Sequence, residues 1–159
     1  MKGYILMGND IWLTQGNDFR VGTSGNDNIM GLGGNDTLWG SAGNDTLHGM
    51  QGNDSLNGGS GSDVLYAGSG SDTLTGGGGL DYFDVSSATG TTYITDLLEI
   101  ETIKFGNRGM DIDQAYDAGL LTTSYNLNTD EYKVVYDGAT IIIQNVTPTT
   151  LIYFSIWEF

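Results

Sequence analysis

The chain has 159 residues, no cysteine, and a net charge of −15 from 20 acidic and five basic side chains. The absence of cysteine excludes disulfides, thiolate metal sites and cysteine nucleophiles. The acidic balance argues against nucleic acid and anionic membranes as partners. Cations are the expected partners, because carboxylates without matching bases must be screened, paired or bound to metal.

Residues 1–21 form an irregular lead-in. They contain two Gly-Asn-Asp triplets, which end at Asp10 and Asp18, but Arg20 stands where the apolar residue of a regular repeat would follow. Phe19 and Val21 flank this arginine. Because a one-residue slip exchanges the two faces of a strand, we predict a strand whose side chains point the other way. We interpret the segment as an N-terminal cap or as degenerate repeats.

Residues 22–84 repeat every nine residues, in seven consecutive copies. The fourth residue of each copy is glycine: Gly25, Gly34, Gly43, Gly52, Gly61, Gly70 and Gly79. The sixth is aspartate: Asp27, Asp36, Asp45, Asp54, Asp63, Asp72 and Asp81. The eighth is large and apolar: Ile29, Leu38, Leu47, Leu56, Leu65, Leu74 and Phe83. Three fixed columns at one period are typical of a solenoid.

Each copy divides into a six-residue glycine-rich turn and a three-residue strand. Neighbours in a strand alternate faces, so the eighth residue points inward while the seventh and ninth point outward. Two copies then make one right-handed coil, and successive coils stack as two parallel sheets with the apolar column between them. The sequence predicts an all-β fold, a right-handed parallel β-roll, that is, a two-sheet β-solenoid.

Aspartates two copies apart fall on the same edge of such a roll, about 4.8 Å from each other. Like charges at that distance repel by about 3.5 kcal/mol at an effective dielectric near 20. A hard cation between coils reverses the sign of this interaction. Ca²⁺ accepts six to eight oxygens in irregular geometry, whereas Mg²⁺ demands a tight octahedron. We therefore predict calcium binding, with no catalytic and no other cofactor-binding residues.

The array closely resembles the pattern G-G-x-G-x-D-x-U-x, where U is a large apolar residue, of the RTX (repeat-in-toxin, haemolysin-type) calcium-binding nonapeptide repeats. The resemblance covers residues 22–84. It implies a parallel β-roll with Ca²⁺ between one turn and the turn two copies later. The implied ligands are the motif aspartates and turn carbonyls, the latter assigned to Gly25, Gly34, Gly43, Gly52, Gly61 and Gly70.

The expected number of calcium sites is about five to seven. Three lie between Asp27, Asp45, Asp63 and Asp81 on one edge, and two lie between Asp36, Asp54 and Asp72 on the other. Asp18 adds a sixth site and Asp10 a seventh. Departures from the motif weaken particular turns: Thr23, Leu32, Ser41 and Met50 replace the second glycine, Ala67 the first, and Leu80 makes the last turn the weakest.

Residues 85–159 change to a β-rich composition that suits a cap on the end of the array. We predict a strand over Thr102–Phe105, a turn at Gly106–Asn107 and a short helix over Asp111–Ala118. A hairpin follows from Tyr132–Tyr136 and Ala139–Val146 around Asp137-Gly138. Leu151–Trp157 is expected to form a last strand.

The resemblance also implies how such a chain leaves a bacterial cell. RTX proteins are exported by type I secretion machinery through an uncleaved signal near the C-terminus, which the tail Ile156-Trp157-Glu158-Phe159 resembles. The apolar run Tyr4–Met7 is too short for a cleavable signal peptide. No stretch approaches the roughly 18–20 apolar residues of a membrane span, so no membrane insertion is expected. The predicted location is extracellular.

The sequence favours a calcium-responsive module that supports secretion and folding of an exported protein. Such arrays follow an upstream catalytic, toxin or adhesin domain in the family. No Gly-x-Ser-x-Gly elbow occurs and no Cys–His pair can form, so we expect no enzyme activity. His48, the one histidine, is expected at the surface. The alternatives are a stand-alone adhesin, surface-layer or ice-binding roll, or an accessory module of a secreted polysaccharide-modifying enzyme.

Overall fold

The structure is a computed structural model, and it describes residues 5–7, 10–98, 102–105, 121–126, 128–136 and 139–145. Within these residues, the chain forms strands in two sheets and no helix long and apolar enough to cross a membrane. In chain order the strands are β1 (Ile5–Met7), β2 (Asp10–Trp12), β3 (Phe19–Val21), β4 (Asn28–Met30), β5 (Thr37–Ala42), β6 (Thr46–His48), β7 (Ser55–Ser60), β8 (Val64–Tyr66), β9 (Thr73–Gly78), β10 (Tyr82–Asp84), β11 (Thr91–Ile94), β12 (Thr102–Lys104), β13 (Leu121–Asn126), β14 (Glu131–Tyr136) and β15 (Ala139–Ile143).

The strands of the repeat array alternate between the two sheets. The first sheet has the order β1-β2-β4-β6-β8-β10-β12, and the second has the order β13-β14-β15-β11-β9-β7-β5-β3. Neighbouring array strands are parallel and two copies apart, so that Leu47 pairs with Leu65 in the first sheet and Leu56 with Leu74 in the second. The predicted parallel β-solenoid is confirmed.

The core is the single apolar column between the sheets. Leu47, Leu65 and Leu74 are each 0% exposed, and Leu56 is 1% exposed, while the seventh and ninth residues of these copies are partly or fully exposed. Fully burying such a side chain contributes about 1.5–3 kcal/mol. Each coil supplies only two of these side chains, so the core between the sheets is thin. The turns must therefore contribute the remaining stability of the roll.

The lead-in differs from the prediction in two ways. Arg20 pairs in register with Leu38 and occupies the inward column, while Phe19 is 67% exposed and Val21 is 40% exposed, so the predicted slip is wrong. An inward position on the end strand β3 is only half-buried, which the long stem and charged head of arginine tolerate. Asp10 pairs with Asn28, a seventh-position residue, and therefore lies outside the aspartate column.

The parallel stacking continues beyond Asp84. Ile94 pairs with Leu74, and Ile103 pairs with Phe83, so this further coil is two residues longer than the earlier ones. An ion pair of 3.1 Å between Lys104 Nζ and the buried Asp84 Oδ2 ties β12 to β10. The predicted strand at residues 102–105 is confirmed, whereas β11 was not anticipated.

The hairpin β14–β15 is confirmed, with Val134 opposite Ile141, and β13 pairs antiparallel with β14. β15 lies parallel to β11, so these strands extend the second sheet, with Ile141 and Ile143 in the core. The antiparallel pair β1–β2 ends the first sheet at the opposite end of the roll. The predicted turn at 106–107, the helix at 111–118, the strand at 151–157 and the C-terminal tail lie outside the described residues.

Candidate metal centre

The turns place the motif aspartates in two columns, one on each edge of the roll. On one edge, the backbone N–H of Asp27 donates to Asp45 Oδ1 (2.8 Å), that of Asp45 to Asp63 Oδ1 (2.7 Å), and that of Asp63 to Asp81 Oδ1 (2.9 Å). The other edge repeats this pattern through Asp18, Asp36, Asp54 and Asp72. The structure therefore brings together the aspartates that the sequence assigned to each edge.

The second carboxylate oxygen, Oδ2, is the unsatisfied atom of these turns. In Asp45, Asp54, Asp63, Asp72 and Asp81 this oxygen is buried and accepts no hydrogen bond from any residue that the structure describes. These five side chains are between 0% and 3% exposed. Leaving one buried polar group unpaired costs about 1–3 kcal/mol, and more when the group is charged. A column of such oxygens therefore indicates a missing positive partner.

In the turns of Asp54 and Asp63, a backbone carbonyl shares the space around Oδ2. We call this space a cradle, and it lies beside the first residue of a copy. Two oxygens border it: Oδ2 of the aspartate in the same copy, and the carbonyl oxygen of the first residue of the copy one coil (eighteen residues) later. A methyl group built on Gly49 would lie 2.6 Å from Asp54 Oδ2 and 2.5 Å from the Ala67 carbonyl oxygen. On Gly58 it would meet Asp63 Oδ2 and, at 2.6 Å, the Gly76 carbonyl oxygen. Both oxygens thus converge on one small volume.

Burial also changes the acidity of these carboxyl groups. Desolvation raises the pKa of Asp63 and of Asp72 from 3.8 to about 6, against the lowering effect of the hydrogen bond from the preceding coil. It raises the pKa of Asp45 and Asp54 in the same direction. A column of buried carboxylates is costly without a cation, and neighbouring charges in the column raise the pKa of Asp63 further.

The donor set fits a hard cation. Within the described residues, no three His, Asp or Glu side chains converge as a metal cluster, so backbone carbonyls must supply the other ligands. Carboxylate and carbonyl oxygens at irregular angles suit Ca²⁺, whose bonds to oxygen span 2.3–2.6 Å. The chain lacks cysteine and has one histidine, so it offers few of the ligands that transition metals prefer.

The fourth-position glycines have a different structural role from the first-position ones. Gly52 has φ +130°, and a Cβ there would collide with the carbonyl oxygen of Gly34 one coil earlier. These glycines therefore let successive turns stack in close contact, and their assignment as calcium ligands stays a prediction. The carbonyls that share a cradle with an aspartate Oδ2, such as those of Ala67 and Gly76, belong to first-position residues, which we did not single out from the sequence. Their signal was the first-position glycine column.

A second ladder follows the same edges through the fifth-position residues. The Asn44 N–H donates to Asn26 Oδ1 (2.8 Å), and the Asn53 N–H donates to Asn35 Oδ1 (2.9 Å). Here the side chain accepts from the later coil, whereas each aspartate accepts from the earlier one. The two ladders therefore tie every turn to both of its neighbours.

His48 lies on the outer face of the first sheet and is half-buried. Its ring stacks on that of Tyr66, with centroids 4.3 Å apart and planes 2° from parallel. Burial lowers the pKa of His48. The pair lines a groove of about 520 Å³ whose other walls include Gln15, Gln51 and Ser69. This surface has no aspartate in its lining.

The comparison with protein families agrees with the repeat pattern of the turns. The family model of the RTX calcium-binding nonapeptide repeat (4 copies) matches the chain twice, over residues 21–56 and 48–83. Among solved structures, the chain is similar to the AlgE6R3 subunit of the Azotobacter vinelandii mannuronan C5-epimerase, with 21% identity, 94% of this chain and 82% of that chain covered, and a TM-score of 0.37. No curated protein matches it. Residues 21–83 are an array of RTX calcium-binding nonapeptide repeats.

Proposed function

We propose that the chain is a calcium-dependent folding module in which Ca²⁺ occupies the cradles along both edges of the roll. The observation that carries this proposal is the column of buried Oδ2 atoms, typified by Asp54 and Asp63, which have no hydrogen-bond partner among the described residues. In the cradles of these two residues, a methyl group added to the first-position glycine would contact both Oδ2 and a first-position carbonyl oxygen.

Calcium binding is coupled to folding because the aspartates of one edge repel each other. The aspartates of one edge lie about 4.8 Å apart, and their buried charges oppose coil stacking until a counter-charge is present. A bound Ca²⁺ supplies that counter-charge between adjacent coils. Extracellular calcium modules bind at about 10⁻⁴–10⁻³ M. The chain therefore stays largely unfolded in calcium-poor cytosol, and its binding free energy becomes folding free energy outside the cell.

The test is far-UV circular dichroism of the full chain in calcium-free buffer and in millimolar calcium. We expect coil to convert to β structure on addition of calcium. The double variant Asp45→Ala/Asp63→Ala should need several-fold more calcium than the wild type, whereas His48→Ala, on the outer face, should follow the wild-type curve. A roll that is fully formed without calcium and indifferent to its addition would contradict the proposal.

The module is further proposed to serve export. Its parts are the lead-in 1–21, the calcium-binding roll 22–84 and the C-terminal segment 85–159, with the secretion signal in the last of these. Support comes from the repeat family and from the acidic chain, which stays extended without calcium. Deleting residues 156–159 in a bacterial host with a type I exporter should block release into the medium, and unchanged release would contradict the tail assignment.

A second candidate function, carbohydrate binding as an accessory module, rests on the outer groove. The parallel His48–Tyr66 stack offers an aromatic surface, and Gln15 and Gln51 offer amide donors and acceptors. Apolar faces with a few convergent polar groups are typical of ligand sites. Affinity electrophoresis in gels containing neutral or acidic polysaccharides tests it: Tyr66→Ala should abolish any retardation of the calcium-loaded protein.

A further inference from the structure

The turns of the roll fall into two structural classes that differ at their second residue. In the copies that begin at Gly31 or later, this residue lies in the left-handed region, as in Leu32 (φ 75°), Ser41 (φ 93°) and Met50 (φ 73°). Thr14 and Thr23 occupy the second position of the first two turns, and neither has a positive φ. The left-handed region is strongly disfavoured for a β-branched residue, which explains the difference.

The fourth residue of the turn changes together with the second. Gly34, Gly43 and Gly52 have φ between 102° and 130°. Gly16 and Gly25, which follow the two threonines, are outside the positive-φ region. The whole turn is therefore built differently in the first two copies, and the class is set by threonine at the second position.

In the threonine turns, the aspartate Oδ2 accepts hydrogen bonds within its own turn, whereas Oδ2 accepts none from the described residues in the turns of Asp45, Asp54, Asp63, Asp72 and Asp81. Asp27 Oδ2 accepts the Thr23 N–H (2.6 Å) and the Thr23 hydroxyl (3.0 Å), and this hydroxyl in turn accepts the Gly25 N–H (3.1 Å). Asp18 Oδ2 accepts the Thr14 N–H (2.9 Å) and hydroxyl (2.6 Å) in the same way. In the turn of Asp45, by contrast, Oδ2 has no donor among the described residues.

We infer that the turns of Thr14 and Thr23 are closed to calcium, because the threonine hydroxyl and amide already bond the aspartate Oδ2 that a cation would need. This rests on the proposed function. A cation at Asp27 Oδ2 would have to displace two donors and leave the Thr23 N–H facing positive charge. The Asp45 turn has no such donors to displace. The first two turns are therefore formed without calcium and give the calcium-dependent coils an ordered edge on which to stack.

Reciprocal substitutions in the full chain test this inference. Thr23→Gly restores the sequence of an open turn, and Ser41→Thr places the closing residue beside Asp45. Calcium stoichiometry, measured by equilibrium dialysis with radioactive calcium, should rise by one ion for Thr23→Gly and fall by one for Ser41→Thr. Thr23→Ser gives this turn the same second residue as the open turn of Ser41, so it should likewise gain one ion.

A further variant separates the inference from the proposed function. Asp27→Asn should leave the number of bound ions unchanged, whereas Asp45→Asn should lower it. Equal losses of calcium from both, or no gain from Thr23→Gly in a protein that binds calcium normally, would overturn the inference alone. A wild-type chain that binds no calcium at all would overturn the proposed function and the inference with it.

Discussion

The backbone N–H of Asp45 donates a 2.7 Å hydrogen bond to Asp63 Oδ1, while Asp63 Oδ2 is buried and accepts no hydrogen bond from the described residues. The two oxygens of the Asp63 carboxylate therefore make different interactions. One joins adjacent coils through the backbone, and the other remains available to a cation. This division makes the two contributions separable by mutation.

The variant Asp63→Asn tests that separation. Asparagine keeps an Oδ1 acceptor for the Asp45 N–H and turns an amide donor toward the Gly76 carbonyl, but it removes the buried charge. With the pKa of Asp63 raised from 3.8 to about 6, this charge costs the metal-free fold about 3 kcal/mol at pH 7. We expect more β structure than wild type in calcium-free buffer and the loss of about one bound ion, by circular dichroism and calcium titration.

The matched control is Asp63→Ala, which removes both oxygens and leaves the Asp45 N–H without its acceptor. It should lose calcium binding and also form less β structure than Asp63→Asn. If the two variants behaved identically in calcium-free buffer, the Oδ1 hydrogen bond would have no structural role.

Acidification should stabilise the metal-free fold but weaken calcium binding. The folded pKa of Asp63 and Asp72, about 6, lies above 3.8, so between about pH 4 and 6 the metal-free fold binds more protons than the unfolded chain. Its stability therefore rises as pH falls through this window. We expect β content in calcium-free buffer to increase from pH 7 to pH 4.5. A decrease over the same range would contradict the raised pKa values.

Calcium binding should weaken over the same interval. A carboxyl group with a pKa of about 6 is about nine-tenths protonated at pH 5, so the affinity of the Asp63 site should be about tenfold lower at pH 5 than at pH 7. Calorimetric titrations at both pH values measure this, and proton release on binding near pH 6 provides an independent readout.

Gly58 should tolerate no side chain if its cradle holds calcium. A Cβ at this position meets Asp63 Oδ2 and the Gly76 carbonyl oxygen, whereas a Cβ at Gly78 has nothing within 4 Å. Neither glycine lies in the positive-φ region. We therefore expect Gly58→Ala to lower the calcium stoichiometry by one and Gly78→Ala to match the wild type. Equal stoichiometry for both variants would place the cation elsewhere.

The β14–β15 hairpin should unfold together with the roll. Ile141 is 1% exposed and pairs with Thr92 of the further coil and Val134 of the hairpin. Replacing it with alanine should lower the unfolding free energy in saturating calcium by about 2–4 kcal/mol, measured by urea denaturation. Ile142→Thr, on the opposite face, should cost less than about 1 kcal/mol. A roll transition unchanged by Ile141→Ala would mean that the hairpin folds separately.

The nine-residue period was sufficient to predict the strands, the two parallel sheets and the pairing of aspartates on each edge, because spacing alone sets which residues share a face. The coil after Asp84 was missed because its apolar residues break the period: Ile94 comes eleven residues after Phe83, and Ile103 comes nine after Ile94. Arg20 was misassigned because the sequence does not show that its strand lies at the end of a sheet.

Parts of the candidate site could not be assigned to particular atoms from the sequence. Carbonyl oxygens belong to every residue, so only the stacking of coils shows which of them meet an aspartate. The effect of Thr23 was also hidden, because threonine at a glycine position suggested only a weakened turn. Its hydroxyl contact to Asp27 became visible in the folded backbone.

The two ends of the roll constrain how its length can change. The antiparallel strand β1 ends the first sheet, whereas the β13–β15 strands continue the second. Inserting one nonapeptide would move every later strand to the opposite sheet and exchange the edges of all later aspartates. Inserting eighteen residues would preserve both. Such an array can therefore be lengthened by duplication only in whole coils. As long as both ends are kept, an odd number of nonapeptides stays odd and an even number stays even.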